Sequence, residues 1–213
     1  MFAGLKNGAT HNRLQEARMK VIIATRNVDK GAELKSLLEE CGIEGETLNE
    51  FDADGTIPEI EETGVTLEEN AFIKAREVHN LTNMPVIADD TGLEVDALDG
   101  APGAYSARYA GDGCTYEDNV NKLIQSLNGI ASERRSARFR TVACFVEKER
   151  ELSAEGSVEG VIVENPTGEQ GFGYDPVFYI PQLGKTYAEL TKDEKNQYSH
   201  RGKAIRELTS RLA

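Results

Sequence analysis

The sequence predicts an α/β protein built on a mixed sheet, and three observations carry that reading. Two short apolar runs, within Lys20 to Thr25 and within Pro85 to Ala88, have the length and branching of strands buried on both faces. Between them, Asp29 to Glu40 and the segment from Thr66 to Val78 repeat apolar residues at helical spacing. Residues 137 to 149 and 151 to 163 instead alternate apolar and polar around a charged Glu149-Arg150-Glu151 tip, the pattern of a long antiparallel hairpin.

Taken in order, Lys20-Val21-Ile22-Ile23-Ala24-Thr25 reads as a strand central in the sheet. Asp29 is placed to cap a helix through Glu40, with Ala32, Leu34, Leu37 and Leu38 inward and Gly42 as its stop. Residues 52 to 65 are acidic and hold Gly55, Pro58 and Gly64, so they read as a loop. Thr66 and Glu69 form a capping-box pattern for the next helix, whose inward face is Leu67, Ala71, Ala75 and Val78 and whose opposite stripe holds Asn70 and Lys74. The strand ending at Ala88 runs into Asp89-Asp90-Thr91-Gly92, read as a polar turn. Thr115 to Leu127 is a helix with Val120, Leu123, Ile124 and Leu127 inward, stopped by Gly129. After the hairpin, Gly171 to Pro176 is a rigid turn before a strand at Val177 to Ile180, and Ser199 caps a final helix with Ile205, Leu208 and Leu212 on its core face.

Length and charge narrow the function. With 213 residues the chain fits one domain, residues 19–213, preceded by an extension over residues 1–18 that lacks the apolar stretch of a secretory signal. A formal net charge of -13 argues against nucleic acid as a partner, since duplex affinity rests on Lys and Arg neutralising the backbone. A small anion would need a local cluster of cations or a divalent metal. No window approaches the apolar length of a membrane span. Three widely separated cysteines, in no metal-ligand spacing, suit a reduced, cytoplasmic protein.

Four segments could carry chemistry. Thr25-Arg26-Asn27-Val28-Asp29-Lys30 joins a buried strand to a helix start, where backbone N–H groups and Lys30 favour phosphate; taken alone it reads first as an ordinary turn with a solvated lysine. Asp89 and Asp90 alternate faces of a strand end, so one of them faces a given cleft, and a carboxylate there suits magnesium, with Glu61-Glu62 as possible partners. Cations at Lys195 and Arg201, near a helix amino end, oppose the macrodipole, a deficit that an anionic or carbonyl-bearing ligand could offset. Gly171-Phe172-Gly173-Tyr174-Asp175-Pro176 leads into a strand and is no dinucleotide fingerprint; Phe172 and Tyr174 either stack on a base or pack in the core.

In combination these segments resemble the inosine triphosphate pyrophosphatase family, also described as Ham1-like. The resemblance runs from residue 20 to about residue 212 through Thr25, Asn27 and Lys30; Glu61-Glu62-Thr63-Gly64 with Glu69-Asn70-Ala71 and Lys74; and Ala88-Asp89-Asp90-Thr91-Gly92-Leu93. It continues through Gly100-Ala101-Pro102-Gly103, Tyr105-Ser106-Ala107-Arg108-Tyr109, the Gly171 to Pro176 turn and Ser199-His200-Arg201-Gly202. It implies two lobes around a long mixed sheet, a nucleotide in the cleft between them, and a homodimer. It also implies hydrolysis between the α and β phosphates of inosine- and xanthosine-type triphosphates (ITP, dITP, XTP). By the same carry-over, Thr25 to Lys30 hold phosphates together with Lys74, and Glu62 and Asp90 serve magnesium, Asp90 being the general base. Phe172, Gly173, Tyr174, Asp175, Lys195, His200 and Arg201 then contact the rest of the nucleotide. Arg26 and Asp29 stand where the family often has small residues, and Thr91 stands where serine is common while keeping the hydroxyl. The competing readings are a Maf-type pyrophosphatase acting on modified pyrimidines and a nucleotide-binding protein without turnover.

Overall fold

The computed structural model describes residues 18–212, so the extension expected over residues 1–18 lies, apart from Arg18, outside the described residues. In chain order the elements are β1 (Lys20–Ile23), α1 (Val28–Glu40), β2 (Glu44–Thr47), α2 (Leu48–Phe51), α3 (Leu67–Thr82), β3 (Val86–Val95) and β4 (Pro102–Gly103). They continue with α4 (Tyr116–Ser126), β5 (Ser136–Glu147), β6 (Arg150–Ile162), β7 (Phe178–Ile180), β8 (Lys185–Thr186), α5 (Lys192–Tyr198) and α6 (His200–Ser210). The strands form one mixed sheet in the order β2-β1-β3-β5-β6-β7-β8, with β4 paired to β3 off that path. β1 pairs in parallel with β2 and β3, and the remaining pairs are antiparallel. β1 therefore lies one strand in from the edge strand β2 and not at the centre of the sheet, and β2, with Glu44 and Glu46 exposed, carries no apolar run in the sequence.

β3 does not end in a turn after Ala88. It runs on to Val95, because Asp89, Asp90, Thr91 and Gly92 pair in register with Ala143, Val142, Thr141 and Arg140 of β5. Pairing with a long hairpin overrides the turn preference of this polar quartet. Gly92 serves a close approach instead: a Cβ there would lie 2.8 Å from the Gly103 carbonyl oxygen of β4. The hairpin tip shifts too, to Lys148-Glu149 between the paired Glu147 and Arg150, with Lys148 at φ 37°.

On its other edge β3 changes partners. Val86 and Ile87 lie beside β1, Leu93 and Glu94 lie beside β4, and no strand flanks the residues between them among those described. Around this gap the core divides. Leu93, Phe139 and Val158 belong to one apolar cluster, which α4 helps to close with Val120 and Leu123. Ile87, Phe145 and Ala154 pack under α1 and α6, while Val86, Cys144 and Val146 pack under α3. Gly156 of β6 lets α6 come close: a Cβ would meet the His200 carbonyl oxygen at 2.2 Å. No helix among the described residues is long and apolar enough to cross a membrane.

Candidate active site

A cleft of about 570 Å³ opens where β3 lacks a neighbour, within the size range of small-molecule sites. One wall is the turn from β1 into α1. Asn27, not Asp29, is the N-cap of α1, its side-chain oxygen accepting from the Lys30 backbone N–H at 2.9 Å. Asparagine succeeds because its backbone is still extended, φ -69° and ψ 116°, whereas Asp29 is already inside the first turn. Thr25 Oγ1 accepts from the Asn27 N–H at 3.2 Å and tightens the turn. Thr25, Arg26, Asn27 and Lys30 line the cleft; Val28, 73% exposed, and Asp29 do not. Arg26 is drawn away by Asp52 and by the Ile57 carbonyl oxygen, at 2.9 Å, so its charge is committed to the acidic loop.

Lys30 reaches the gap in the sheet. The Ile87 carbonyl accepts from Ala24, just beyond β1, and two residues later the Asp89 carbonyl points to the same edge with no strand among the described residues to meet it. The Lys30 ammonium donates to that oxygen at 3.0 Å and sits 3.0 Å from Asp89 Oδ1. Burial lowers the Lys30 pKa, against the opposing pull of Asp89.

Strand alternation separates the two aspartates, as expected. Asp90 faces α3, where Asn70 Nδ2 donates to it at 3.3 Å and the Lys74 ammonium lies 3.5 Å away. Lys74 also donates to Glu62 at 2.7 Å, so two carboxylates from a loop and a strand converge on one cation. Burial raises the Asp90 pKa; Lys74 opposes the rise and Glu62 adds to it. Burial likewise works against the charge of Lys74, yet Asp90 and Glu62 hold its pKa above the ordinary lysine value. Asp90, Glu62 and Lys74 all line the cleft.

Asp89 faces the opposite side, under α1 and α6. It accepts from Arg201 Nε at 3.0 Å, and Arg201 also donates to Glu33 at 2.8 Å and to Thr91 Oγ1 at 3.2 Å. Burial alone would raise the Asp89 pKa, but Lys30 and Arg201 hold it well below the carboxylate range. The expected charge deficit at the start of α6 is thus met in part by two protein carboxylates. Glu33 carries no mark in the sequence, where an acidic residue on an amphipathic helix reads as solvated. It also lies 3.6 Å from the Lys195 ammonium.

The far wall holds the Gly171 to Pro176 turn. Asp175 accepts from the Phe172 N–H at 2.8 Å and from Lys195 at 2.6 Å, while the Lys195 ammonium sits 4.8 Å from the Phe172 ring centre. Phe172 therefore faces the cleft beside a cation. Tyr174 takes the core alternative: it is buried, and its hydroxyl donates to the Ser106 carbonyl at 2.9 Å, with part of the ring left on the cleft wall. His200 is stacked on Phe139 at 4.6 Å and meets the Tyr187 hydroxyl through Nδ1 at 3.3 Å. Burial, then Arg201 and Lys195, push its pKa well below the ordinary histidine value, so the ring is neutral. Gly173, Lys195 and Arg201 complete this wall with Ser106, and Asn119 and Tyr116 join it without having been marked by the sequence.

The model of the Ham1 family matches residues 21–211. The chain belongs to the Ham1 family. This Ham1-family chain is 50% identical over 190 residues to the dITP/XTP pyrophosphatase of Thermoanaerobacter sp. (strain X514), covering 89% of this chain and 94% of that one. It is 48% identical over 194 residues to the dITP/XTP pyrophosphatase of Bacillus subtilis (strain 168), covering 91% and 96%. The solved HAM1 protein from Coxiella burnetii matches with a TM-score of 0.80 at 40% identity, over 91% of this chain and 98% of that one. The expected α/β fold with its mixed sheet is thus shared by the Ham1 family.

Proposed function

We propose that this chain is a magnesium-dependent pyrophosphatase that hydrolyses inosine- and xanthosine-type nucleoside triphosphates to the monophosphate and pyrophosphate. The observation that carries the reading is the convergence of Asp90 and Glu62 on Lys74, at 3.5 and 2.7 Å, on one wall of a cleft whose other wall presents a helix N-terminus and Lys30. Relatives about half identical to the chain, named dITP/XTP pyrophosphatases, support the substrate class.

Asp90 and Glu62 already face a common positive charge. Two oxygen-donor carboxylates, with the remaining positions left to water and phosphate oxygens, make the donor set that magnesium accepts. Among the described residues, no group of three or more His, Cys, Asp or Glu is gathered that could hold a metal by itself. Asp90 and Glu62 would hold the ion, which would supply charge neutralisation on the phosphate oxygens.

The other steps belong to the chain. Thr25, Asn27 and the first turn of α1 receive the phosphates through N–H groups and the helix dipole, and Lys30 and Lys74 add charge from either side. Asp90, its pKa raised by burial, accepts the proton of a water that attacks the α phosphorus. Asn70, hydrogen-bonded to it, fixes its orientation. Phe172 provides a face for the base. Neutral His200 can donate a hydrogen bond to a 6-keto oxygen, where adenine presents a donor of its own.

With ITP and magnesium the expected products are inosine monophosphate and pyrophosphate; free phosphate with a diphosphate product would overturn the cleavage point. Parallel assays with dITP, XTP and 5-methyl-UTP separate this reading from a pyrimidine-directed one, and absence of turnover on all of them would leave a binding protein. The same reading carries a cytoplasmic homodimer, and size-exclusion chromatography returning only single chains would remove the dimer.

A further inference from the structure

Tyr116, the first residue of α4, reaches across the mouth of the cleft to the opposite wall. Its hydroxyl accepts from Asn27 Nδ2 at 2.8 Å and donates to Asp29 Oδ2 at 3.4 Å, joining residues 89 and 87 positions apart. The ring lies 5.9 Å from that of Phe172 and is 42% exposed, so packing alone does not dictate its place. Thr115 fixes the root of the side chain through a capping box with Asp118.

The partner amide has two tasks. Asn27 uses its oxygen to cap Lys30 N–H and its nitrogen to meet Tyr116. Because a carboxamide is planar, a single hydroxyl on its nitrogen side also determines which atom faces the helix. The third member, Asp29, puts a negative charge in the turn that triphosphate must approach, yet it is off the cleft wall, where the Tyr116 hydroxyl meets it. Burial and the Asp29 carboxylate raise the phenol pKa, although the Asn27 contact opposes this, so the hydroxyl keeps the proton it donates.

We infer that Tyr116 is a positioning residue of the phosphate turn, clamping the Asn27 amide from across the cleft and holding the Asp29 carboxylate out of the path of incoming phosphates. The inference rests on reading Thr25 to Lys30 as the phosphate turn.

Steady-state kinetics with ITP and magnesium test it. Tyr116→Phe keeps the ring and removes both hydrogen bonds, so KM rises about 3- to 10-fold, the loss falling in KM more than in kcat. Asn27→Ser retains a helix cap but cannot reach Tyr116, and in that background the same substitution changes KM by less than about twofold. Hydrogen exchange on the free protein adds a readout without substrate: the Lys30 amide exchanges faster in Tyr116→Phe than in the wild type. An unchanged KM and unchanged Lys30 exchange in Tyr116→Phe, or an equal effect with and without the Asn27 amide, would overturn the clamp. Lys30→Ala separates the two levels. If it leaves KM unaltered, the phosphate-turn reading fails and the clamp with it; if it raises KM while Tyr116→Phe does not, only the clamp fails.

Discussion

Asp90→Asn is expected to lower kcat by about two to four orders of magnitude, the range over which a positioned general base contributes. The amide matches the carboxylate in size and sits in a strand whose pairing with β5 is made by the backbone, so the fold survives. The Lys74 ammonium keeps Glu62 at 2.7 Å and is not left alone. What disappears is the proton acceptor and one of the two oxygen donors proposed for magnesium. Steady-state turnover of ITP, with a thermal melt to show the folded state, measures the effect. A folded variant with near-wild-type turnover would remove Asp90 from the chemistry.

Arg201→Ala is expected to act mainly on stability. The guanidinium is 3% exposed and serves Asp89, 1% exposed, and Glu33, 9% exposed. Removing the shared cation leaves Asp89 with Lys30 alone and Glu33 with Lys195 at 3.6 Å, in a place with little water. Breaking a buried pair outright costs about 3–5 kcal/mol, and the remaining lysines bring the expected loss to the lower end of that range. For a domain of this size each kcal/mol lowers the midpoint of thermal unfolding by roughly 2–4 °C. Asp89→Asn combined with Arg201→Met removes charge of both signs and recovers part of the loss. If Arg201→Ala melts within a degree or two of the wild type, water reaches the network and the burial argument is wrong.

The parts of the fold legible in the sequence are those decided by local chemistry. Thr66 and Glu69 form their capping box, Ser199 caps α6 by accepting from Gly202 N–H, and the inward face of α3 follows the expected spacing, while α6 buries Ile205 and Leu208 but ends at Ser210, short of Leu212. The site was legible where its residues sit at element ends: Thr25, Asn27, Lys30, Phe172, Lys195 and Arg201 all reach the cleft. What was hidden depends on partners far away in sequence. The passage of β3 through Asp89 and Asp90 is set by a hairpin that begins more than forty residues later. Glu33 gains its role only when Arg201 arrives, 168 residues on, and Arg26, while lining the cleft, is paired with Asp52 and the Ile57 carbonyl, which its own turn does not announce. Tyr116 reads as a surface aromatic until its hydroxyl is seen facing Asn27.

The continuity of β3, β5 and β6 from the apolar cluster under α4 to the one under α1 and α6 has a mechanical consequence. Each strand contributes side chains at either end of the cleft, as Ile87 and Leu93 do on β3 and Phe145 and Phe139 do on β5. A pair of lobes joined by loops can swing about a few backbone torsions, but here the sheet itself is the joint. Widening the cleft therefore means changing the twist of three hydrogen-bonded strands, a small-amplitude elastic deformation spread over many residues. Such a joint has one rest shape, and Asp90, proposed above as the general base, stands within it on β3.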